Sequence, residues 1–248
     1  MNELYEDEIF NEGFVLKSQK VTNKTMFKNC TFIGKCELKG ITHSKRLTFY
    51  GCKFKSNFEI QDCSIDLLDI HNCNFDIATI TKCKSSYLTI KDIKAEAVYI
   101  NGIYEDFYLG KNEIKECDLK DMNSEYALHE SEFIIKDNKI DRLNIFSSSL
   151  FANITFIKGV YNWITLKGMF NETLVFQDNV NVEYLFFESS IFNRIDIKSG
   201  DYQNVNFQKS TFKNLVIIDG IDILENSKKE LTIKRLGFYS NNFEQNVS

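Results

Sequence analysis

The sequence predicts an all-β fold: a parallel β-helix solenoid of five-residue repeats with a short C-terminal helix. Three observations carry that expectation. Apolar or small residues recur at the first and third places of successive five-residue blocks. Polar residues mostly hold the second, and Asn, Asp, Lys, Ser or Gly crowd the fourth and fifth. Over long stretches the first position alternates between small and large side chains, as in Cys63, Leu68, Cys73, Ala78, Cys83 and Leu88.

The beat is clearest from Leu185, where seven consecutive blocks run LFFES, SIFNR, IDIKS, GDYQN, VNFQK, STFKN and LVIID. From Ser149 the blocks read SLFAN, ITFIK, GVYNW, ITLKG, MFNET and LVFQD. From Cys63 they read CSIDL, LDIHN, CNFDI, ATITK, CKSSY, LTIKD, IKAEA and VYING. One-residue insertions near Asn57 and Tyr184 separate the frames, and the stretch from about Tyr104 to Ser148 is the least regular, with a bulge or loop insertion expected there. Within a block, places one and three lie on one face of a short strand because strand side chains alternate. Places four and five suit a turn. A helical period of 3.6 residues would smear this pattern. Four units close one coil, and residues four units apart stack at about 4.8 Å. Roughly nine coils would make a rod on the order of 40 Å long.

Blocks such as CNFDI, CDLKD, GDYQN, VNFQK and STFKN resemble the unit of the pentapeptide-repeat family, over about residues 29 to 223. Asp69, Asn74, Asp118, Asp196, Asp201 and Asn206 fall on that family's Asp/Asn position. The resemblance implies a right-handed quadrilateral β-helix, with those carboxylates and amides bonded to nearby backbone. First positions here are often Ile, Leu or Val instead of Ala, which should widen the coils.

A solenoid needs its ends capped. Residues 1–28 precede the clear repeat and are expected to cap it, with a strand around Gly13 to Leu16. Ser227 and Glu230 have capping-box spacing. They are followed by Leu231, Ile233, Leu236 and Phe238, so residues 224–248 are expected to hold a helix from about 227 to 240.

A net charge of -5 argues against a nucleic-acid binder, which needs a basic surface. The acidic N-terminal segment has no apolar core of a signal peptide. No apolar run is long enough to span a membrane. Seven cysteines without a leader suggest reduced thiols and a cytoplasmic location.

The cysteines give no C-x-x-C motif or zinc-module spacing. Cys30, Cys52, Cys63, Cys73, Cys83 and Cys117 hold repeat positions and read as small buried hydrophobes, whereas Cys36 fits the frame poorly. His43, His71 and His129 are scattered in the repeat register, and none is placed beside a nucleophile. No catalytic residue, cofactor or metal site is expected. Outward places turn apolar in the second half. The frame puts Leu150, Phe170 and Ile191 on one wall and Val160 and Val180 on the opposite one, with Trp163 and Tyr184 at an adjoining corner. An exposed apolar patch marks an interface. The expected function is therefore a non-enzymatic protein-interaction scaffold, contacting a protein partner or a second copy of the chain. The family resemblance supplies an alternative, a DNA-mimicking binder of a type II topoisomerase, although lysines among the acidic corners weaken it. A carbohydrate-active β-helix enzyme ranks last and would require carboxylates gathered in a groove.

Overall fold

The computed structural model describes residues 3–123, 131–150, 152–214, 216–218, 231–239 and 242–243. They form a parallel β-solenoid of about 10 turns. Each turn takes ~21 residues, so four five-residue sides and an occasional extra corner residue close one coil. The register is direct: Thr25 pairs with Leu47, Leu47 with Leu68, Leu68 with Leu88 and Leu88 with Phe107, all in parallel. Backbone amides and carbonyls are therefore consumed between coils, and the side chains alone decide what the walls present.

Corners form where the chain tolerates a left-handed backbone. Asn29, Asp62, Asn72, Asp92 and Asp137 all have φ between 52° and 55°. Asn and Asp are the non-glycine residues best suited to that region.

Places one and three point inward as expected, and the core is built of columns. Phe10, Phe32, Phe54 and Phe75 stack on successive coils with ring centroids 4.8, 4.7 and 4.6 Å apart. Phe187, Phe207 and Phe238 do the same at 4.4 and 4.8 Å. These distances repeat the strand spacing, so a parallel ladder in register stacks aromatic rings face to face. Three tyrosines use a different device. In Gly102-Ile103-Tyr104, Gly159-Val160-Tyr161 and Gly200-Asp201-Tyr202 the glycine occupies place one and the ring folds back across it. A Cβ on Gly159 would lie 2.8 Å from the Tyr161 ring, and one on Gly200 would lie 2.9 Å from that of Tyr202. The Tyr202 hydroxyl then donates to the Ser199 carbonyl at 3.3 Å.

All seven cysteines are buried free thiols. Cys36 also belongs to the repeat, since it pairs with Phe14 on one side and Phe58 on the other. Cys52 Sγ donates to the Phe27 carbonyl of the previous coil at 3.4 Å, and Cys63 Sγ to that of Leu38 at 3.5 Å. The side chain fills a small column and binds the neighbouring coil together. Further along, amides replace thiols in the same role. Asn112 Nδ2 donates to the Ile90 carbonyl at 3.2 Å and Asn138 Nδ2 to that of Leu109 at 2.8 Å.

The sheet extends past the clear repeat at both ends. Glu3–Glu6 and Phe14–Lys17 are strands of the first coil, paired with Thr25–Lys28 and Cys36–Lys39. At the other end, the helix expected over about 227 to 240 is corrected. Leu231–Tyr239 is a strand, with Gly200 paired to Leu231 and Phe207 to Phe238. LTIKR and LGFYS are two more five-residue blocks, and the inter-coil ladder prevails over a capping-box spacing. Ser227 and Glu230 lie outside the described residues. The described residues of the irregular stretch also stay in the solenoid. Phe107 pairs with Phe133 and Cys117 with Leu143 across a longer coil.

Candidate functional site

Several outward side chains on the first half of the rod pair by charge, while Val15, Ile33, Tyr50 and Tyr87 are left exposed among them. Lys35 bridges Glu37 at 3.3 Å and Glu59 at 2.7 Å, Arg46 meets Asp69 at 3.1 Å, and Lys94 meets Glu113 at 2.9 Å. Four of the six Asp/Asn positions, Asp69, Asp118, Asp196 and Asp201, take side-chain partners instead of the expected backbone ones. Arg194 forks onto Asp196 at 2.9 and 3.0 Å, and Asn144 Nδ2 donates to Asp118 at 2.7 Å. The reason is geometric: the amides near these carboxylates are engaged between coils, and the next outward residue lies alongside.

The expected apolar stripe does not form on a wall. Leu150 is fully buried, and Phe170 is buried and stacked on Phe192 at 5.0 Å. Leu150 pairs with Phe170, so their column is an internal one that continues through Phe192 and Phe212. Ile191, the neighbour of Phe192, faces outward beside Thr211 and is half-buried. Val180 is likewise fully buried and opens the block VNVEY, with Val182 at its third place. Two local slips cause these reversals. Near Leu150 the register shifts between Ser147 and Leu150. Before Val180, Asp178 and Asn179 both adopt left-handed φ, of 59° and 65°, and absorb one extra residue. The slip assigned to Tyr184 thus falls earlier in the chain.

Val160, Trp163 and Tyr184 do face outward, and the structure brings them to one edge of the rod. Trp163 lies 5.1 Å from Tyr184 and 4.7 Å from Phe186, stacked on the latter. Trp163 is 37% exposed and Val160 50% exposed. The indole is held in place by its own N–H, which donates to Thr165 Oγ1 at 2.8 Å. Phe186 completes the cluster; its outward, partly apolar setting is the signal that the sequence offered for it.

Beside this cluster runs an open groove of about 590 Å³ shaped by three successive coils. Val160 and Tyr184 supply its apolar part. Amides dominate the rest: Asn162, Asn181, Gln203 and Asn204. Two carboxylates, Glu183 and Asp201, also line it, and among the described residues neither Lys nor Arg does. The polar side chains are pre-positioned. Gln203 Nε2 donates to Asp201 at 3.0 Å, Asn204 Nδ2 to the Glu183 carbonyl at 3.2 Å, and the Asp201 amide to Asn181 Oδ1 at 3.2 Å. The same edge continues toward the N-terminus as a second groove of about 430 Å³. There the lining turns ionic, with Lys94, Glu113 and Lys139 in the column that leads to Val160.

His43 is buried, with Nε2 3.2 Å from Thr25 Oγ1. His71 lies 3.9 Å from Asp69 on the outside, and His129 lies outside the described residues. Among the described residues no cluster of three or more metal-ligating side chains occurs. No helix among them is long and apolar enough to cross a membrane. In comparisons with known proteins, no family model, no curated protein and no solved structure matches the chain.

Proposed function

We propose that the protein is a non-enzymatic interaction scaffold, a rod of the pentapeptide-repeat type that binds a macromolecular partner along one outer edge. The observation that carries this reading is the outward Trp163–Tyr184–Phe186 cluster, three aromatic side chains gathered at the surface of the rod. Large aromatic side chains left at a surface are the usual anchors of recognition. Seven free, buried thiols accord with a reducing compartment such as the cytoplasm. The ion-paired first half speaks against the DNA-mimic alternative, because Lys35, Arg46 and Lys94 neutralise the carboxylates that a continuous acidic face would need.

Comparative capture from native extract tests the reading. Immobilised wild type should retain a partner that Trp163→Asp does not, with the variant's far-UV spectrum and unfolding midpoint unchanged. Equal retention by both proteins would move the interface elsewhere. No retention by either would refute the scaffold reading.

A further inference from the structure

We propose that the groove beside Trp163 is a glycan-binding site that takes an extended, uncharged oligosaccharide along the rod axis. The proposal rests on the scaffold reading above and names the partner of that same edge.

The lining narrows the ligand class. Among the described residues no Lys or Arg lines the groove, and Arg142 lies beside Trp163 on the preceding coil and not in the lining, so a phosphate, a nucleic acid or an acidic peptide finds little countercharge along it. An amphipathic helix needs an apolar trough, and here only Val160 and the aromatic edge are apolar. A peptide strand needs a free sheet edge, yet the strands on this wall are already paired on both sides: Val182 and Tyr184 pair with Tyr202 and Asn204, which in turn pair with Ile233 and Arg235. What remains is a ligand rich in hydroxyl groups with apolar ring faces. Asn181, Asp201 and Gln203 form a connected row of amide and carboxylate groups that can both donate and accept, as vicinal hydroxyls require. Among the described residues the Glu183 side chain makes no hydrogen bond or ion pair, so its carboxylate is available to accept from a ligand. The rings of Trp163 and Tyr184 offer an apolar platform at the groove's edge for the C–H face of a sugar.

Geometry gives the direction. Equivalent side chains recur at every coil, about 4.8 Å apart. Successive rings of an extended glycan advance by a similar step, so each ring could meet the same kind of group one coil further on. A coiled glycan could not keep that register.

Trp163 is the only tryptophan, so its emission reports on the site directly. The probes are cellohexaose and chitohexaose, with maltohexaose as the coiled control. We expect one of the extended hexasaccharides to shift Trp163 emission saturably, with maltohexaose at least tenfold weaker. Glu183→Ala and Asn181→Ala should each weaken binding at least fivefold while leaving the unfolding midpoint unchanged, and Trp163→Ala, followed by calorimetry, should abolish it. Absence of binding by either extended sugar would overturn the proposal, as would binding indifferent to Glu183 and Asn181. If the sugars fail but Trp163-dependent capture survives enzymatic deglycosylation of the extract, the scaffold reading stands and only the glycan is wrong. If the partner proves to be a second copy, seen as a particle that Trp163→Asp reduces to a monomer, the glycan proposal also falls.

Discussion

Phe207→Ala tests the column architecture most directly. Phe207 is fully buried, with its ring stacked between Phe187 at 4.4 Å and Phe238 at 4.8 Å and edge-on to Phe212 at 5.3 Å. Truncating a buried Phe costs ~3–5 kcal/mol through lost transfer energy and the cavity left behind. Each well-placed ring pair adds ~0.5–1.5 kcal/mol beyond the area buried. Three such pairs place the loss in the upper half of that range. Little relaxation is available, because hydrogen-bonded coils above and below fix the column at strand spacing. Coils in a solenoid contact only their neighbours, so the loss should also loosen the strand Leu231–Tyr239 stacked beyond it. The adjacent Asn206 faces outward, and Asn206→Ala should change stability by about 0.5 kcal/mol or less. Urea titration followed by far-UV circular dichroism measures both. Comparable losses from the two variants, or a loss below ~1 kcal/mol for Phe207→Ala, would mean that the inside and outside of this wall are misassigned.

Other outcomes follow from the same packing. Phe170→Asp should unfold the protein, because it buries an unpaired carboxylate against Phe192 in the column that begins at Leu150; a folded variant with altered association would restore the wall placement. Native protein should leave its seven cysteines unreactive to a thiol reagent, and denaturant should expose them all; burial pushes the Cys36 and Cys117 thiols far up and keeps them protonated. Burial also lowers the His43 pKa below its usual 6.5, against the opposing pull of nearby backbone and carboxylates. The unfolded chain then takes up this proton first, so the contribution is complete above pH 6.5 and declines as pH falls below it. Unfolding midpoints on either side of that pH should differ less in His43→Gln than in wild type, and an equal difference would assign the effect to other groups.

Much of the fold was legible because a solenoid writes its geometry locally. Each side needs two inward residues and a corner, so blocks such as VNFQK and STFKN reveal the coil without any long-range information. Two kinds of feature were not legible. One was the C-terminal strand, where a capping-box spacing outweighed the beat of Leu231, Ile233, Leu236 and Phe238. A local helix signal and a strand signal compete there, and pairing with Gly200–Gln208 decides between them. The other was the placing of frame slips. In GMFNET, Met169 and Phe170 are both apolar, so composition cannot say which one faces inward; the register shift after Ser147 does. The groove was legible only in part. Its amides lie on three coils and look like ordinary surface residues until the coil count brings them together.

The slip that takes Val180 into the core also builds the candidate site. In the unbroken frame of Leu174 and Phe176, both buried, the next inward places would be 179 and 181, then 184 and 186. Tyr184 and Phe186 would then be core residues. The extra residue taken up at Asp178–Asn179 moves the frame by one, so that Val180, Val182, Leu185 and Phe187 enter the core instead. The segment Tyr184-Leu185-Phe186-Phe187 is apolar on both faces and can satisfy either frame inside. It cannot satisfy either one without leaving two apolar side chains on the wall. Trp163, one coil earlier and just before the buried Ile164, already faces outward and meets them there. The shift also turns Asn181 outward, beside Asp201 of the next coil, while Glu183 stays at a corner in either frame. One corner residue thus sets both the apolar edge and part of the polar lining of the groove. This is a physical reason to look for the protein's recognition chemistry at this edge.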